Sequence, residues 1–304
     1  MLQHKSKIIV ISGATASGKS RVAIEVAKIF NGAIINADAL QIYRDLPILS
    51  AQPASENLIE VEHFLYGILP ANEKISVGIW LKMVAEIVKK IQQENKIPII
   101  VGGNGMYISR LINGISEIPE IDEKFRLQAQ NLYAEIGHQK FQENFGSAKI
   151  IDKQKLLRAC EVFLQTGKKI EFFQQQPPKK AIENQQFIHL NLNLPRQEIY
   201  QNCNERFAKM LENNALNEVK NYLKNINDLS SPIVNTLGFK EILEFLNNKI
   251  TLDEMQSLAS QKTRNYAKRQ LTWFRHQFDD IIFCENEEEI FKYLKNNNLF
   301  ENEI

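Results

Sequence analysis

The eight residues from Gly13 to Ser20, GATASGKS, have the types and spacing of a loop that binds phosphate. They satisfy the pattern G-x-x-x-x-G-K-[ST]. The glycines let backbone N–H groups close around phosphate oxygens, Lys19 adds a positive charge, and the Ser20 hydroxyl is suited to bind Mg²⁺. A glycine turn that only joins a strand to a helix is the alternative. The complete pattern favours a phosphate or pyrophosphate site formed by Gly13, Ala14, Thr15, Ala16, Ser17, Gly18, Lys19 and Ser20.

Which phosphate compound binds depends on an acidic residue. A typical P-loop NTPase holds Mg²⁺ with an aspartate at the end of another buried strand. Here the apolar run 97–103 is followed by Asn104 and no acid, whereas the run 33–37 ends at Asp38. If Asp38 points into the crevice at the carboxyl ends of the strands, it faces the bound phosphate. It would then be a metal ligand or a general base, and its alternative role is to cap a following turn.

Alternating apolar runs and helical patterns predict the elements that position these residues. Residues 8–12, 33–37 and 97–103 are continuous apolar runs, typical of strands buried on both faces of a parallel sheet. Helical patterns over 18–30 and 77–94 alternate with them. This alternation predicts an α/β fold of the P-loop type, with a doubly wound parallel sheet.

A change of character in the middle of the chain predicts an inserted all-helical domain. Polar helical patterns cover 122–145 and 152–175, and the apolar run 187–192 then returns to the sheet. We therefore predict a core of residues 1–116 and 187–304 and a helical insertion of residues 117–186. The core continues with helical patterns at 196–224, 238–248 and 252–276, the last opening with a capping box at Thr251 and Glu254, and a solvated terminal helix after residue 285.

Composition indicates a globular protein. The 304 residues are 44% hydrophobic and 24% charged with a net charge of +1, which neither demands nor excludes a nucleic-acid partner. Cys160, Cys203 and Cys284 are widely spaced, which argues against a zinc site and a disulfide framework. The apolar run at 8–12 is too short for a signal sequence or a membrane span, so we predict a cytoplasmic protein without membrane association, with a monomer as the default.

Several stretches together resemble one family, the tRNA dimethylallyltransferases of the bacterial type. They occur in the order typical of that family and cover most of the chain from residue 8 to 275. These stretches are GATASGKS (13–20), DALQIYRDLPILSAQP (38–53), PIIVGGNGMY (98–107), DKQKLLRACEVFLQTGK (152–168), RFAKMLENNALNEV (206–219), LGFKEI (237–242) and TRNYAKRQLTWFR (263–275).

The resemblance implies that the loop binds the pyrophosphate of dimethylallyl diphosphate, with Mg²⁺, and not a nucleotide. It implies transfer of the dimethylallyl group to N6 of the adenosine adjacent to the anticodon in tRNAs, with release of pyrophosphate. By the same resemblance, Asp38 is the general base, and the other catalytic residues are Lys19, Thr15, Asn104 and Arg206. One departure concerns the turn after the third strand, where the family has Gly-Gly-Thr and this chain has Asn104. An amide donates and accepts as a hydroxyl does, but with a longer reach.

Residues 262–276 hold basic side chains interleaved with Tyr266 and Trp273 and no acid, which suits tRNA. Composition alone favours a solvated amphipathic helix with a buried tryptophan. The resemblance instead assigns tRNA contacts to this segment, to the insertion, which would hold the anticodon stem-loop against the core, and to 235–240. The implied tRNA-binding residues are Asp38, Ala39, Leu40, Gln41, Asn104, Arg126, Gln154, Lys155, Leu156, Leu157, Arg158, Lys240, Lys268, Arg269, Gln270, Trp273 and Arg275.

Three alternatives stay open at this point. A small-molecule P-loop kinase would need a Walker-B-type acid or a pair of lid arginines, and would not need the basic segment 262–276. An adenylate prenyltransferase would act on a free nucleotide, for which the long insertion has no use. A tRNA-binding relative with weakened catalysis would explain Asn104.

Overall fold

A computed structural model describes residues 6–147 and 150–297, and it contains a six-stranded parallel sheet. The strand order across the sheet is β3-β2-β4-β1-β5-β6. The strands are β1 (Ser6–Gly13), β2 (Gly32–Asn36), β3 (His63–Phe64), β4 (Ile97–Gly102), β5 (Gln185–Leu192) and β6 (Ile281–Cys284).

The sheet places β1 between β4 and β5, with Ser12 paired to Gly102 on one side and to Asn191 on the other. The chain leaves β1 toward β2 and leaves β4 toward β5, so connections from these two neighbours run in opposite directions. Ligands of open α/β sheets bind at such a switch point, outside the carboxyl ends of the strands. The loops after β1 and β4 therefore border the expected crevice.

Helices alternate with the strands along the chain. The helices described are α1 (Lys19–Ile29), α2 (Pro47–Ser50), α3 (Ser55–Glu60), α4 (Val77–Gln93), α5 (Gly105–Asn113), α6 (Glu123–Phe145), α7 (Lys153–Thr166), α8 (Ile170–Gln174), α9 (Arg196–Glu212), α10 (Ala215–Asn225), α11 (Phe239–Leu246), α12 (Leu252–Gln277) and α13 (Glu287–Asn296), with a 3₁₀ turn at Pro232–Asn235. None of them is long and apolar enough to cross a membrane.

The chain divides into two compact units. The first unit comprises residues 1–112 and 182–304, of which the sheet and its helices are described. Its main core is built from β-branched and aliphatic residues of the strands, such as Ile9, Ile34 and Ile99, packed under Val22 of α1. The prediction of a P-loop-type α/β fold with a doubly wound parallel sheet is confirmed.

The second unit comprises Asn113–Ala181 and is helical in its described residues, as the fold prediction required. Its own core holds Phe141 of α6 and Leu156 of α7, both fully buried. Gly137 breaks the course of α6 with φ of 76°, a left-handed value that a glycine adopts without strain.

Two long helical patterns are each interrupted, which corrects the predicted single helices. The pattern at 152–175 forms α7 and α8, because Gly167 ends α7 in the left-handed conformation with φ of 69°. The pattern at 196–224 forms α9 and α10, because Asn214 takes φ of 69° between them. The capping box of Thr251 and Glu254 at the start of α12 is confirmed.

The chain beyond α12 packs more closely than expected. The run Ile281–Cys284 adds β6 to the edge of the sheet, a strand that was not predicted, like the two-residue β3. The terminal helix α13 is not simply solvated, because Ile290 and Leu294 are buried in the main core. The part of the predicted tail at 298–304 lies outside the described residues.

Candidate active site

The phosphate loop joins the end of β1 to the start of α1. Gly18 takes φ of 84° immediately before the helix, a conformation that glycine adopts at little cost. The first N–H groups of α1 have no partners within the helix and form a site suited to anions. The Lys19 ammonium group folds back onto the loop and donates to the Ala14 carbonyl at 3.1 Å.

The pKa of Lys19 is lowered from 10.5 to about 8, first by burial and then by the neighbouring Arg206 guanidinium. The carboxylate of Asp38 acts in the opposite direction. Burial likewise lowers the pKa of Arg206, with Asp38 again opposing it. Two partly shielded cations therefore share this place with one carboxylate, and the surplus of positive charge suits an anionic ligand.

Arg206 reaches the loop from α9. Its Nη1 donates to the Thr15 hydroxyl at 2.8 Å, although the residues are 191 positions apart. This bond brings together two residues that the family resemblance assigns to the same site. Beside it, Asn202 of α9 donates to the Ala16 carbonyl at 3.2 Å, so α9 holds the loop at two points.

Asp38 lies after β2 in a tightly held turn. Its Oδ1 accepts from the Leu40 N–H at 2.9 Å, so the turn-capping alternative is correct for one carboxylate oxygen. The Asn36 side chain accepts from the Asp38 N–H at 2.8 Å and donates to the Asp38 carbonyl at 3.0 Å. Within the described residues, Oδ2 of Asp38 accepts no hydrogen bond.

Three tyrosines interact with the charge of Asp38. Burial and then this charge raise the pKa of Tyr66, and the same two causes raise the pKa of Tyr266 to about 12. Burial, then Tyr43 and Asp38, raise the pKa of Tyr107 to about 12. These phenols therefore stay neutral at physiological pH. Neither Tyr66 nor Tyr107 was predicted, because nothing local in the sequence links them to Asp38.

Asn104 occupies the turn between β4 and α5 and is half-buried. Its side-chain oxygen accepts weakly from the Tyr107 N–H, at 3.4 Å. A β-carbon on Gly103 would lie 3.1 Å from the Gly13 carbonyl oxygen, so this turn lies directly against the start of the phosphate loop. The phosphate loop and the Asn104 turn thus follow the ends of two adjacent strands, β1 and β4.

Gln270 of α12 was assigned to tRNA, but its side chain is only 6% exposed and lies behind the site. Its Oε1 accepts from the Thr15 N–H at 2.8 Å, and its Nε2 donates to the Gly103 carbonyl at 2.8 Å. Both halves of the amide are therefore occupied by protein groups.

A cleft of about 790 Å³ opens beside the phosphate loop. It lies between the loop, the segment before α3, and α9, and it is large enough for a small diphosphate ester. Lys19, Ser20, Gln41 and Arg206 contribute to its lining. Gln41 also supports the cleft wall, because its amide nitrogen donates to the Ser50 and Ala51 carbonyls at 3.0 and 2.8 Å.

The other predicted tRNA contacts of the first unit are mostly at the surface. Lys240, Lys268, Arg269 and Arg275 are exposed, whereas Ala39 and Leu40 are half-buried in the Asp38 turn. Trp273 is half-buried, with its ring 5.8 Å from Phe274 and 5.6 Å from Phe278. The basic helix α12 therefore carries cations outward and presents Gln270 and Phe274 to the core.

In the second unit, Arg126, Gln154 and Lys155 are exposed, and Leu157 and Arg158 are half-buried. Leu156 is fully buried in the core of this unit. Its side chain therefore stabilises α7 and is not presented to a ligand.

The described residues offer few side chains that could bind a metal ion. Among residues 6–147 and 150–297, no group of three or more histidine, cysteine or carboxylate side chains could hold a metal ion. The Ser20 hydroxyl is exposed at the start of α1. This fits Mg²⁺, which commonly takes one or two protein oxygens and completes its shell with substrate phosphates and water.

The fold and the site together define a P-loop α/β protein in which Lys19 and Arg206 lie near the carboxylate of Asp38. The IPP transferase family profile matches residues 41–277. A tRNA dimethylallyltransferase from Ehrlichia chaffeensis is 38% identical over 304 residues, which cover 98% of this chain and 100% of that protein. The chain therefore belongs to the IPP transferase family.

Solved structures show the same fold. A tRNA isopentenylpyrophosphate transferase from Staphylococcus epidermidis is 28% identical with a TM-score of 0.67, covering 96% of this chain and 100% of that one. A eukaryotic dimethylallyltransferase acting on tRNA shares the fold, with a TM-score of 0.82 at 24% identity over 98% of this chain and 80% of that one.

Proposed function

We propose that this chain transfers a dimethylallyl group from dimethylallyl diphosphate to N6 of the adenosine adjacent to the anticodon in tRNAs. The observation that carries the proposal is the grouping of Lys19, Arg206 and Asp38 at the carboxyl ends of the strands, in a chain that matches tRNA dimethylallyltransferases over nearly its full length. Two cations there match a diphosphate, and one carboxylate matches a proton acceptor.

The reaction needs charge stabilisation on the leaving group. The bond between the first prenyl carbon and the diphosphate oxygen breaks, and a bond from that carbon to N6 forms. The negative charge that develops on the diphosphate is stabilised by the loop N–H groups, Lys19 and the Thr15–Arg206 pair. A single well-placed donor of this kind contributes about 3–4 kcal/mol.

Asp38 accepts the proton that N6 loses. An aromatic amine is a weak nucleophile, and a positioned base contributes roughly 10²–10⁴-fold to the rate. Its Oδ1 is used by the Leu40 N–H, so Oδ2 is the atom that receives the proton. Asn36 fixes the backbone on both sides of this carboxylate.

The proposal includes Mg²⁺ bound by the Ser20 hydroxyl and by the diphosphate of the substrate. Bound there, the ion would add positive charge on the leaving group. Because the Ser20 side chain is exposed at the helix start, it leaves room for water in the remaining positions.

The tRNA is proposed to contact the exposed cations of α12, together with Lys240, and the exposed face of the second unit at Arg126, Gln154 and Lys155. An adenine stacked in the anticodon loop must leave the stack before it reacts, which costs a few kcal/mol. Basic and aromatic side chains suit this single-stranded target. The proposal also includes a cytoplasmic location and a monomeric state.

The proposed function is tested by identifying the reaction product. Unmodified tRNA is incubated with the protein, dimethylallyl diphosphate and Mg²⁺, then digested to nucleosides for mass spectrometry. We expect N6-dimethylallyladenosine, located by fragment analysis next to the anticodon. Unchanged adenosine in every fragment would refute the proposal.

A further inference from the structure

One side-chain amide in α12 joins the two loops that border the crevice. The Gln270 oxygen accepts from the Thr15 N–H of the phosphate loop, and its nitrogen donates to the Gly103 carbonyl of the turn after β4. Both bonds measure 2.8 Å and the side chain is 94% buried. Hydrogen bonds of this geometry, shielded from water, hold their partners strongly in place.

Each of the two loops carries one half of the candidate site. The Thr15 hydroxyl accepts from Arg206, so the phosphate loop is linked to one of the two cations proposed to bind the diphosphate. Gly103 is followed directly by Asn104, the residue that the family resemblance assigns to catalysis and to tRNA binding. Gln270 therefore connects the phosphate loop to the Asn104 turn without belonging to either loop.

The close approach of α12 depends on two glycines. A β-carbon on Gly103 would collide with the Gln270 amide, and a β-carbon on Gly105 would collide with the Trp273 indole. Gln270 and Trp273 are three residues apart, so they share one face of the helix. The glycines on both sides of Asn104 thus admit two side chains of the same helix.

We propose that Gln270 is a positioning residue for prenyl transfer, which sets the spacing between the phosphate loop and the Asn104 turn. This inference rests on the proposed function. A misplacement of reacting groups by about 1 Å can cost about 10²-fold in rate, so the spacing matters more for turnover than for the binding of either substrate.

The bridge needs a side chain that both accepts and donates a hydrogen bond, as an amide does. Thr15 offers a donor and Gly103 an acceptor, so the bridging group must accept on one side and donate on the other. An ionised glutamate accepts on both sides and would repel the Gly103 carbonyl. A protonated glutamate restores the donor, and burial raises the pKa of such a carboxyl.

The experiment compares Gln270→Glu with the wild type and with Gln261→Glu, an exposed position on the same helix. We expect kcat of Gln270→Glu to be about 10- to 100-fold below wild type near pH 8, with both KM values changed much less. The deficit should shrink as the pH falls toward about 6 and the carboxyl is protonated. Gln261→Glu should follow the wild-type profile. A deficit that is constant with pH, or no deficit, would overturn the inference.

A second measurement does not depend on that variant. In Gly103→Ala the new β-carbon displaces the Gln270 amide, whereas the double variant with Gln270→Ala removes that collision and keeps only the 3.1 Å contact with the Gly13 carbonyl oxygen. We expect the double variant to lose much less kcat than the product of the two single losses. Losses that multiply would contradict the inference. A wild type that transfers no prenyl group to tRNA would instead refute the proposed function.

Discussion

The guanidinium of Arg206 donates a 2.8 Å hydrogen bond to the hydroxyl of Thr15, and after burial its charge is the second cause that lowers the pKa of Lys19. This pair connects α9 to the phosphate loop and places two cations at one anion site. Because like charges in proximity are unfavourable until an anion separates them, the site is prepared for a ligand that carries more than one negative charge.

Replacing the base should separate chemistry from binding. Asp38→Asn retains a side-chain oxygen for the Leu40 N–H but removes the proton acceptor. We expect single-turnover prenyl transfer to fall by about 10²-fold or more, with tRNA affinity within about twofold of wild type. Quench-flow and filter binding measure the two quantities. Asp279→Asn, at an exposed position, is the control. Loss of tRNA binding with an unchanged rate on bound tRNA would give Asp38 a positioning role.

The lowered pKa of Lys19 predicts a pH limit for diphosphate binding. With a pKa of about 8 in the free protein, the ammonium form is present below that pH and is lost above it. The affinity for dimethylallyl diphosphate, measured by calorimetry, should therefore weaken as the pH rises from about 8 to 10. An affinity that is flat across this range would show that Lys19 does not contact the diphosphate.

The same pKa shift has a consequence for folding. Between about 8 and 10.5 the unfolded chain carries a proton on Lys19 that the folded chain lacks, so its contribution to the free energy of unfolding rises with pH. Replacing Arg206 should shift the pH dependence of diphosphate binding. Arg206→Gln removes the charge repulsion between Arg206 and Lys19, so the pKa of Lys19 should rise. The pH above which the affinity for dimethylallyl diphosphate weakens should therefore be higher than in the wild type. A shift to lower pH would contradict this electrostatic account.

The exposed cations of α12 predict a salt-dependent interaction. Lys268→Ala should weaken tRNA binding and reduce the slope of log K against log salt by about one unit. Lys295→Ala, on the exposed face of α13, should leave the slope unchanged. An unaltered slope for Lys268→Ala would exclude a phosphate contact at that residue.

The sequence predicted those features that depend on neighbours in the chain. GATASGKS identified the phosphate loop, and the position of Asp38 at the end of an apolar run placed it beside that loop, because parallel strands end at one edge. The run Ile281–Cys284 also carried an apolar strand signal, but its brevity and its place after a long helix concealed β6.

Other features depend on residues far apart in sequence and were not predictable from one chain. The bond from Gln270 to Thr15 spans 255 positions, and the burial of Leu156 follows from how α6 and α7 pack. From the sequence, Asn36 was predicted only as part of a strand, although its side-chain amide forms hydrogen bonds with the Asp38 backbone. Gln270 and Leu156 act through tertiary contacts, which periodicity does not report. The Asn36 contact is local, but the apolar pattern of a strand does not reveal a side-chain hydrogen bond.

The most direct test of the account offers the protein labelled dimethylallyl diphosphate and Mg²⁺ with tRNA, with AMP, or with no acceptor. If the loop holds a leaving diphosphate and the acceptor is tRNA, label enters tRNA alone, with release of an equal amount of pyrophosphate. Label in AMP but not in tRNA, or in neither, would contradict the account.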